Sequence, residues 1–253
     1  MKPKAVAPVC INTHYNTTQK LMNRFLKFTG IAVVALSTIA ARADFILPAN
    51  HPDGIHLLAP PPAAGSPEQA ADLAESQAVI KARTKEDVNR AKDETLTLWK
   101  FQPAIGPFFK KNKFPKMESF FQCVKTNISS AINTPKDHFK RLRPYQIDPA
   151  LAFGRPEPSA SYPSGHSVRG TVTALLLAEL FPEKRDSILQ IGRDIGWNRV
   201  VIGKHFYTDV VAGRVLAQAI VKELMALPDF QRDLEEVKAE IRAKRPQENA
   251  AAK

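Results

Sequence analysis

Cysteine is almost missing from this 253-residue chain, which has only Cys10 and Cys123. Cys10 falls in a segment with the marks of an export signal, so after cleavage Cys123 stands alone and no internal disulfide can staple the fold. Cys123 lies among Phe120, Phe121, Val124 and Ile128 in an apolar-periodic stretch, where a buried, inert thiol is expected. Long apolar runs are lacking too. The run from Ile31 to Ala41 is too short for a membrane-spanning helix, which needs about 20 apolar residues, and nothing later is long enough. No segment alternates apolar and polar residues with period two, which argues against half-buried strands. His51, His56, His138, His166 and His205 remain once the signal is removed, and none sits in a cluster with zinc-like spacing. No metal or other cofactor is therefore implied.

Acidic residues are absent from residues 1–43, which hold six cations. Arg24 and Lys27 precede the apolar run, and Ala41-Arg42-Ala43 has the small-x-small form of a cleavage site. Cleavage after Ala43 makes Asp44 the first mature residue and predicts a periplasmic or secreted protein without integral membrane association. Met22 starts a more typical signal than Met1 does. The formal charge of +11 falls to about +5 without this segment. With no interleaving of aromatic and basic residues, a nucleic-acid platform is excluded.

What is present points to helices. Pro48, Pro52 and Pro60 to Pro62 make residues 44–65 an extended arm, because proline removes donors and fixes φ. Ser66-Pro67-Glu68-Gln69 supplies an N-cap, a first-turn proline and a capping-box glutamine; Thr84 to Asp87 repeats that logic. Two helices follow, Trp99 closing the second. One helical period runs through Met117, Phe120, Phe121, Val124, Ile128 and Ile132, another through Phe230, Leu234, Val237 and Ile241. Val168 to Leu180 and Val210 to Leu227 are more continuously apolar and predict central, buried helices. The expected fold is all-α: a compact single-domain helical bundle over residues 66–245, with a polar tail at 246–253.

Three clusters could carry chemistry. Lys136 and Arg143 are seven residues apart, so on a helix started by Thr134 and Pro135 both would project from one face and could hold a dianion. Alone, such a pair reads first as a solvated basic face. Ser164, Gly165 and His166 precede an apolar helix, whose first N–H groups suit an anion; Gly165 permits close approach and His166 stands where a proton could be handed to a departing oxygen. The plain alternative is a serine-capped helix with a surface histidine. His205 and Asp209 are four residues apart, so a helix begun by His205 would put the carboxylate one turn from the imidazole, fixing its tautomer; Arg199 adds a third cation. Which histidine would attack is open from the residues alone, although Asp209 behind His205 favours His205. His138, two residues from Lys136, points elsewhere on a helix and is assigned to packing or the surface.

In order and spacing, Lys136-x6-Arg143-Pro144, Pro163-Ser164-Gly165-His166 and Arg199-x5-His205-x3-Asp209 resemble the signature of the type 2 phosphatidic acid phosphatase superfamily. With the export signal and the stretch from Pro60 to Ser66, the chain looks most like bacterial class A non-specific acid phosphatases. The resemblance implies a helical fold of the acid phosphatase/vanadium haloperoxidase type and hydrolysis of small phosphomonoesters through a phosphohistidine, without a metal. It implies His205 as nucleophile, Asp209 as its orienter and His166 as acid and then base. Lys136, Arg143, Ser164, Gly165 and Arg199 would bind the phosphoryl oxygens. Two positions depart from the family pattern: Asn198 stands where serine is usual, and the 18-residue connection from Tyr145 to Tyr162 is short and lacks a cysteine. A lipid phosphate phosphatase and a vanadate-dependent haloperoxidase are the alternatives, and a homo-oligomer is left open.

Overall fold

The computed structural model describes residues 45–93 and 95–245, so the expected export signal, the expected cleavage point after Ala43 and the expected polar tail from 246 lie outside the described residues. The helices are α1 (Gly54–Leu57), α2 (Pro67–Ala82), α3 (Lys85–Ala91), α4 (Gln102–Ile105), α5 (Pro115–Asn127), α6 (Ser129–Phe139), α7 (Pro144–Ile147), α8 (Gly165–Leu180), α9 (Arg185–Val201), α10 (Tyr207–Ala226) and α11 (Pro228–Lys244). No strand occurs among the described residues, and the all-α reading of the sequence holds.

Helix α8 packs most extensively, against α9 and α10, and with them forms the centre. The two apolar runs supply α8 and α10: Val168, Val172, Leu176, Leu216, Ile220 and Leu224 are all inaccessible to solvent. Small residues let α8 and α9 approach closely. A methyl on Gly192 would come within 2.6 Å of Ala174 Cβ, and one on Gly170 within 2.7 Å of Ile195 Cγ2. Helix α11 buries Phe230, Leu234, Val237 and Ile241, the stripe its period predicts. It also completes α5, whose first turn has no side-chain cap of its own. Glu240 of α11 accepts from the backbone N–H of Lys116 at 3.2 Å and of Met117 at 3.0 Å. A carboxylate meets the positive end of the helix there.

Several local expectations need correction. Ser66 caps α2 as predicted, accepting from Gln69 N at 3.1 Å, but the Gln69 side chain does not close a capping box. Its Oε1 accepts from Arg141 instead, at 3.1 Å. Thr84 and Asp87 do form a reciprocal box. The helix they start ends at Ala91, and Trp99 belongs to a separate 3₁₀ turn, Leu98–Phe101. Asp93, whose carboxylate accepts from Thr95 N at 3.2 Å, turns the chain between them. The apolar stripe from Met117 to Ile132 spans two helices, parted at Ile128, and keeps one buried face across the break. Just before it, Asn127 directs its side chain at the arm, accepting from Leu47 N at 2.9 Å and donating to Phe45 O at 3.2 Å.

Phe45 stacks at 4.8 Å from Phe230 and 5.5 Å from Phe120, so the arm's apolar residues belong to the core. The arm also contains one helical turn, α1, because Asp53 accepts from the N–H groups of Ile55 and His56. Cys123 is half-buried, not enclosed as expected, with Sγ 3.7 Å from Phe45 O.

Candidate active site

The three clusters meet around the loop of residues 155–164. Lys136 and Arg143 do so by a route other than the predicted one. Helix α6 starts at Ser129, and Thr134, expected as its cap, donates to Asn50 Oδ1 at 2.7 Å. The helix stops at Phe139, Lys140 turns left-handed (φ 49°), and Arg143, held extended before Pro144, lies outside any helix. The two cations therefore do not share a helix face. They converge on one carbonyl: Lys136 Nζ donates to Ala160 O at 2.5 Å and Arg143 Nη2 to the same oxygen at 3.4 Å. Arg143 also donates to Ser159 O at 2.9 Å and Lys204 O at 2.8 Å. Both side chains are buried, Lys136 at 4% and Arg143 at 2% exposure, so neither is a solvated basic face.

His205 is likewise not helical. Helix α10 starts at Tyr207, and Asp209 serves as its N-terminal carboxylate, accepting from Phe206 N at 2.9 Å. That same oxygen, Oδ2, lies 3.3 Å from His205 Nδ1. A turn built on Gly203 (φ +67°) returns the chain so that the N–H groups of Lys204 and His205 both donate to Arg199 O, fixing Arg199 and His205 side by side. A side chain at Gly203 would collide with Leu151 O, so glycine is required there. His205 Nε2 faces Arg143 Nη1 at 3.3 Å. Guanidinium has no acceptor, so Nε2 carries the lone pair and Nδ1 carries the proton directed at Asp209.

Ser164 caps α8 through Ser167 N at 3.4 Å, and its own N–H donates to Asp209 O at 3.0 Å. Gly165, first in the helix, abuts Lys136: a methyl there would lie 3.9 Å from Lys136 Cε. His166 and Arg199 come together at Glu157. Arg199 Nη2 bonds Glu157 Oε1 at 2.6 Å, and the charges of Arg199, Arg143 and His166 hold that carboxyl below its usual range against the opposing effect of burial. His138 is exposed and packs edge-on to Phe139 at 4.8 Å. Asn198 turns away from the site, its Oδ1 accepting from Arg90 at 3.4 Å.

Burial sets the electrostatics. Desolvation, aided by the Arg143 charge, brings Lys136 down to about 7. Desolvation also pushes His205 well below the usual histidine range, despite Asp209. For Asp209 burial works against the charge, yet His205, Arg141 and Ser161 together hold it at about 2. The result is a neutral imidazole in front of a firmly ionised carboxylate.

Sequence reasoning missed the residues that hold this pair. Ser161 Oγ donates to Asp209 Oδ2 at 2.5 Å and lies 3.3 Å from His205 Nδ1. Arg141 Nη1 donates to Asp209 Oδ1 at 2.7 Å while Nη2 donates to Asp72 Oδ2 at 2.6 Å, and its guanidinium stacks 4.1 Å above the Phe206 ring. One signal was available. Gln69, Asp72 and Ser76 recur at helical spacing and form the buried face of α2, a polar stripe that demands a polar partner.

A helical frame that closes three buried cations on a neutral, carboxylate-backed histidine at a helix start belongs to the class of proteins that handle phosphoryl groups. Residues 120–233 match the PAP2 superfamily, and the chain belongs to that superfamily. It is 30% identical over 229 residues to an acid phosphatase of Zymomonas mobilis, spanning 84% of this chain and 86% of that protein. It is 30% identical over 200 residues to a non-specific acid phosphatase of Providencia stuartii, spanning 75% and 81%. A transmembrane PAP2-type phosphatidylglycerolphosphate phosphatase from Bacillus subtilis aligns with a TM-score of 0.42 at 23% identity, covering 61% of this chain and 82% of that one. No described helix here is long and apolar enough to cross a membrane.

Proposed function

We propose that the protein is an exported acid phosphatase of broad specificity that hydrolyses phosphomonoesters through a phosphohistidine at His205. The observation that carries this reading is the pairing of His205 Nδ1 with Asp209 at 3.3 Å while Nε2 faces Arg143 among buried cations. Nε2 attacks phosphorus as the ester P–O bond breaks, and His166 gives its proton to the departing oxygen. Water then attacks the phosphohistidine, His166 takes a proton from it, and the P–N bond breaks to release inorganic phosphate. Lys136, Arg143, Ser164, Arg199 and the first N–H groups of α8 neutralise the phosphoryl oxygens, whose charge is the main demand of such a transition state. The depressed proton affinity of His205 keeps the nucleophile unprotonated in acid, which supports an acid phosphatase.

Rapid quench with a ³²P-labelled aryl phosphate tests nucleophile and reaction class together. His205→Ala abolishes acid-labile labelling. His166→Ala still labels with a weakly basic leaving group such as p-nitrophenolate and fails with alkyl esters. Equal loss for both kinds of ester removes His166 as the acid, and label on any other residue removes His205. Turnover confined to micellar lipid phosphates would move the assignment to a lipid phosphate phosphatase.

A further inference from the structure

Beside the site lies a cavity of about 310 Å³ between α5, α8 and the Leu98–Phe101 turn. Its apolar lining includes Leu96, Trp99, Phe101 and Phe121. Two of its walls continue into the phosphate-facing residues. Ile128 lines the cavity and Ile132, one turn further, has Cγ2 3.5 Å from where a methyl on Gly165 would sit. Arg169 lines the cavity from α8 and carries Nη1 to within 3.3 Å of where a methyl on Gly165 would sit, close enough for its charge to be felt at Lys136.

Arg169 is half-buried, yet among the described residues no carboxylate or carbonyl pairs with its guanidinium. The other charges on the cavity wall do not answer it. Among the described residues of the wall, Lys125 at the rim is a second cation, and the one carboxylate, Glu118, accepts from Asn112 N at 2.7 Å. Arg169 thus stands between the proposed phosphate cradle and an apolar cavity, three residues beyond His166. A half-buried guanidinium is solvated poorly and gains most from an anion that reaches it with two oxygens.

Building on the phosphatase reading, we propose that this cavity receives the organic part of the ester and that Arg169 selects leaving alcohols bearing a second anionic group on an apolar or aromatic body. The recognised feature is a carboxylate or second phosphate one ring-width from the scissile ester. Arg169 is thus a specificity-determining residue, separate from the three cations that hold the transferred phosphoryl group.

Three esters of similar leaving-group basicity separate the effects: phenyl phosphate, 3-carboxyphenyl phosphate and its neutral isostere 3-carbamoylphenyl phosphate. The wild-type protein is expected to favour the carboxylate over the amide by roughly tenfold in kcat/KM, the scale of one charge-assisted hydrogen bond in partial solvent. Arg169→Gln brings that ratio to near one. Thr173→Phe, which fills the cavity without touching the cradle, raises KM for the aryl esters more than for methyl phosphate. A wild-type ratio near one, or a ratio that survives Arg169→Gln, overturns the proposal while the phosphatase reading stands. Equal effects of Thr173→Phe on aryl and methyl esters remove the cavity from substrate binding. Absence of turnover of all three esters by the wild-type protein overturns the phosphatase reading and this inference with it.

Discussion

A lysine held among other cations and away from water gives up its proton easily, and that is the situation of Lys136, at about 7 beside Arg143. The sign follows directly. As pH rises through that value Lys136 becomes neutral, the cradle loses a charge, and binding of a phosphate dianion weakens. The kcat/KM profile, which reports the unbound enzyme, is expected to fall on its alkaline side with an apparent pKa near 7. Lys136→Arg, whose charge does not titrate in this range, moves that limb upward by at least one pH unit. A limb unchanged in the arginine variant assigns it to another group. The same burial makes Lys136 costly to the fold. Below pH 7 the native state carries a charge that water would hold better, so Lys136→Met is expected to raise stability at pH 5 by roughly 1–3 kcal/mol while weakening phosphate binding. Urea unfolding of both proteins at pH 5 measures the difference.

At the scale of elements, the position of the site depends on how closely α8 can lie against its neighbours. Gly213 on α10 would place a methyl 2.8 Å from Ser164 O, so α10 touches the backbone at the start of α8, where the anion-facing N–H groups are. Gly192 on α9 opposes Ala174 on α8 at the other crossing. Gly192→Ala is expected to cost about 1–3 kcal/mol through overpacking, and adding Ala174→Gly recovers most of it, since the methyl it strikes is then gone. A double-mutant cycle by thermal unfolding checks this; simple additivity would mean the two positions do not meet. The elements flanking this centre are shorter than their sequence patterns suggest. A stripe of apolar residues is indifferent to a break such as that at Ile128, provided both pieces present the same face, so periodicity located the buried surface but not the helix ends.

Across the whole molecule one arginine ties the layers together. Arg141 follows α6, bonds Gln69 and Asp72 of α2, and bonds Thr208 and Asp209 at the head of α10. Its removal takes the cationic partner from two buried carboxylates at once. Arg141→Met is expected to destabilise the protein by about 3–5 kcal/mol, the scale for breaking a buried ion pair from one side, and to lower the melting temperature by roughly 10 °C. It is also expected to slow turnover, because Asp209 loses one of the groups that orient it, keeping Ser161 and Phe206 N. Asp72→Asn in the same background is expected to return part of the stability without restoring turnover. If both recover together, the network acts through folding alone. Asp209 sets the acid limit: held at about 2 in the fold against 3.8 in an ordinary side chain, it stabilises the native state above pH 4 and loses that contribution as pH falls toward 2.

The sequence by itself determined the helical class, the caps at Ser66 and Thr84, the buried faces of α8, α10 and α11, and the residues proposed here to face a phosphate. These follow from short-range rules, since a period, a cap or a motif is complete within a few residues. Only the tertiary structure decided how Lys136 meets Arg143, why His205 is neutral, and that Arg141, Ser161 and Glu157 hold the site. Asp72 lies 69 residues from Arg141, and Ser161 lies 48 from Asp209. A buried polar group must find a partner somewhere, but which one it finds depends on how every helix packs, and no local pattern carries that information.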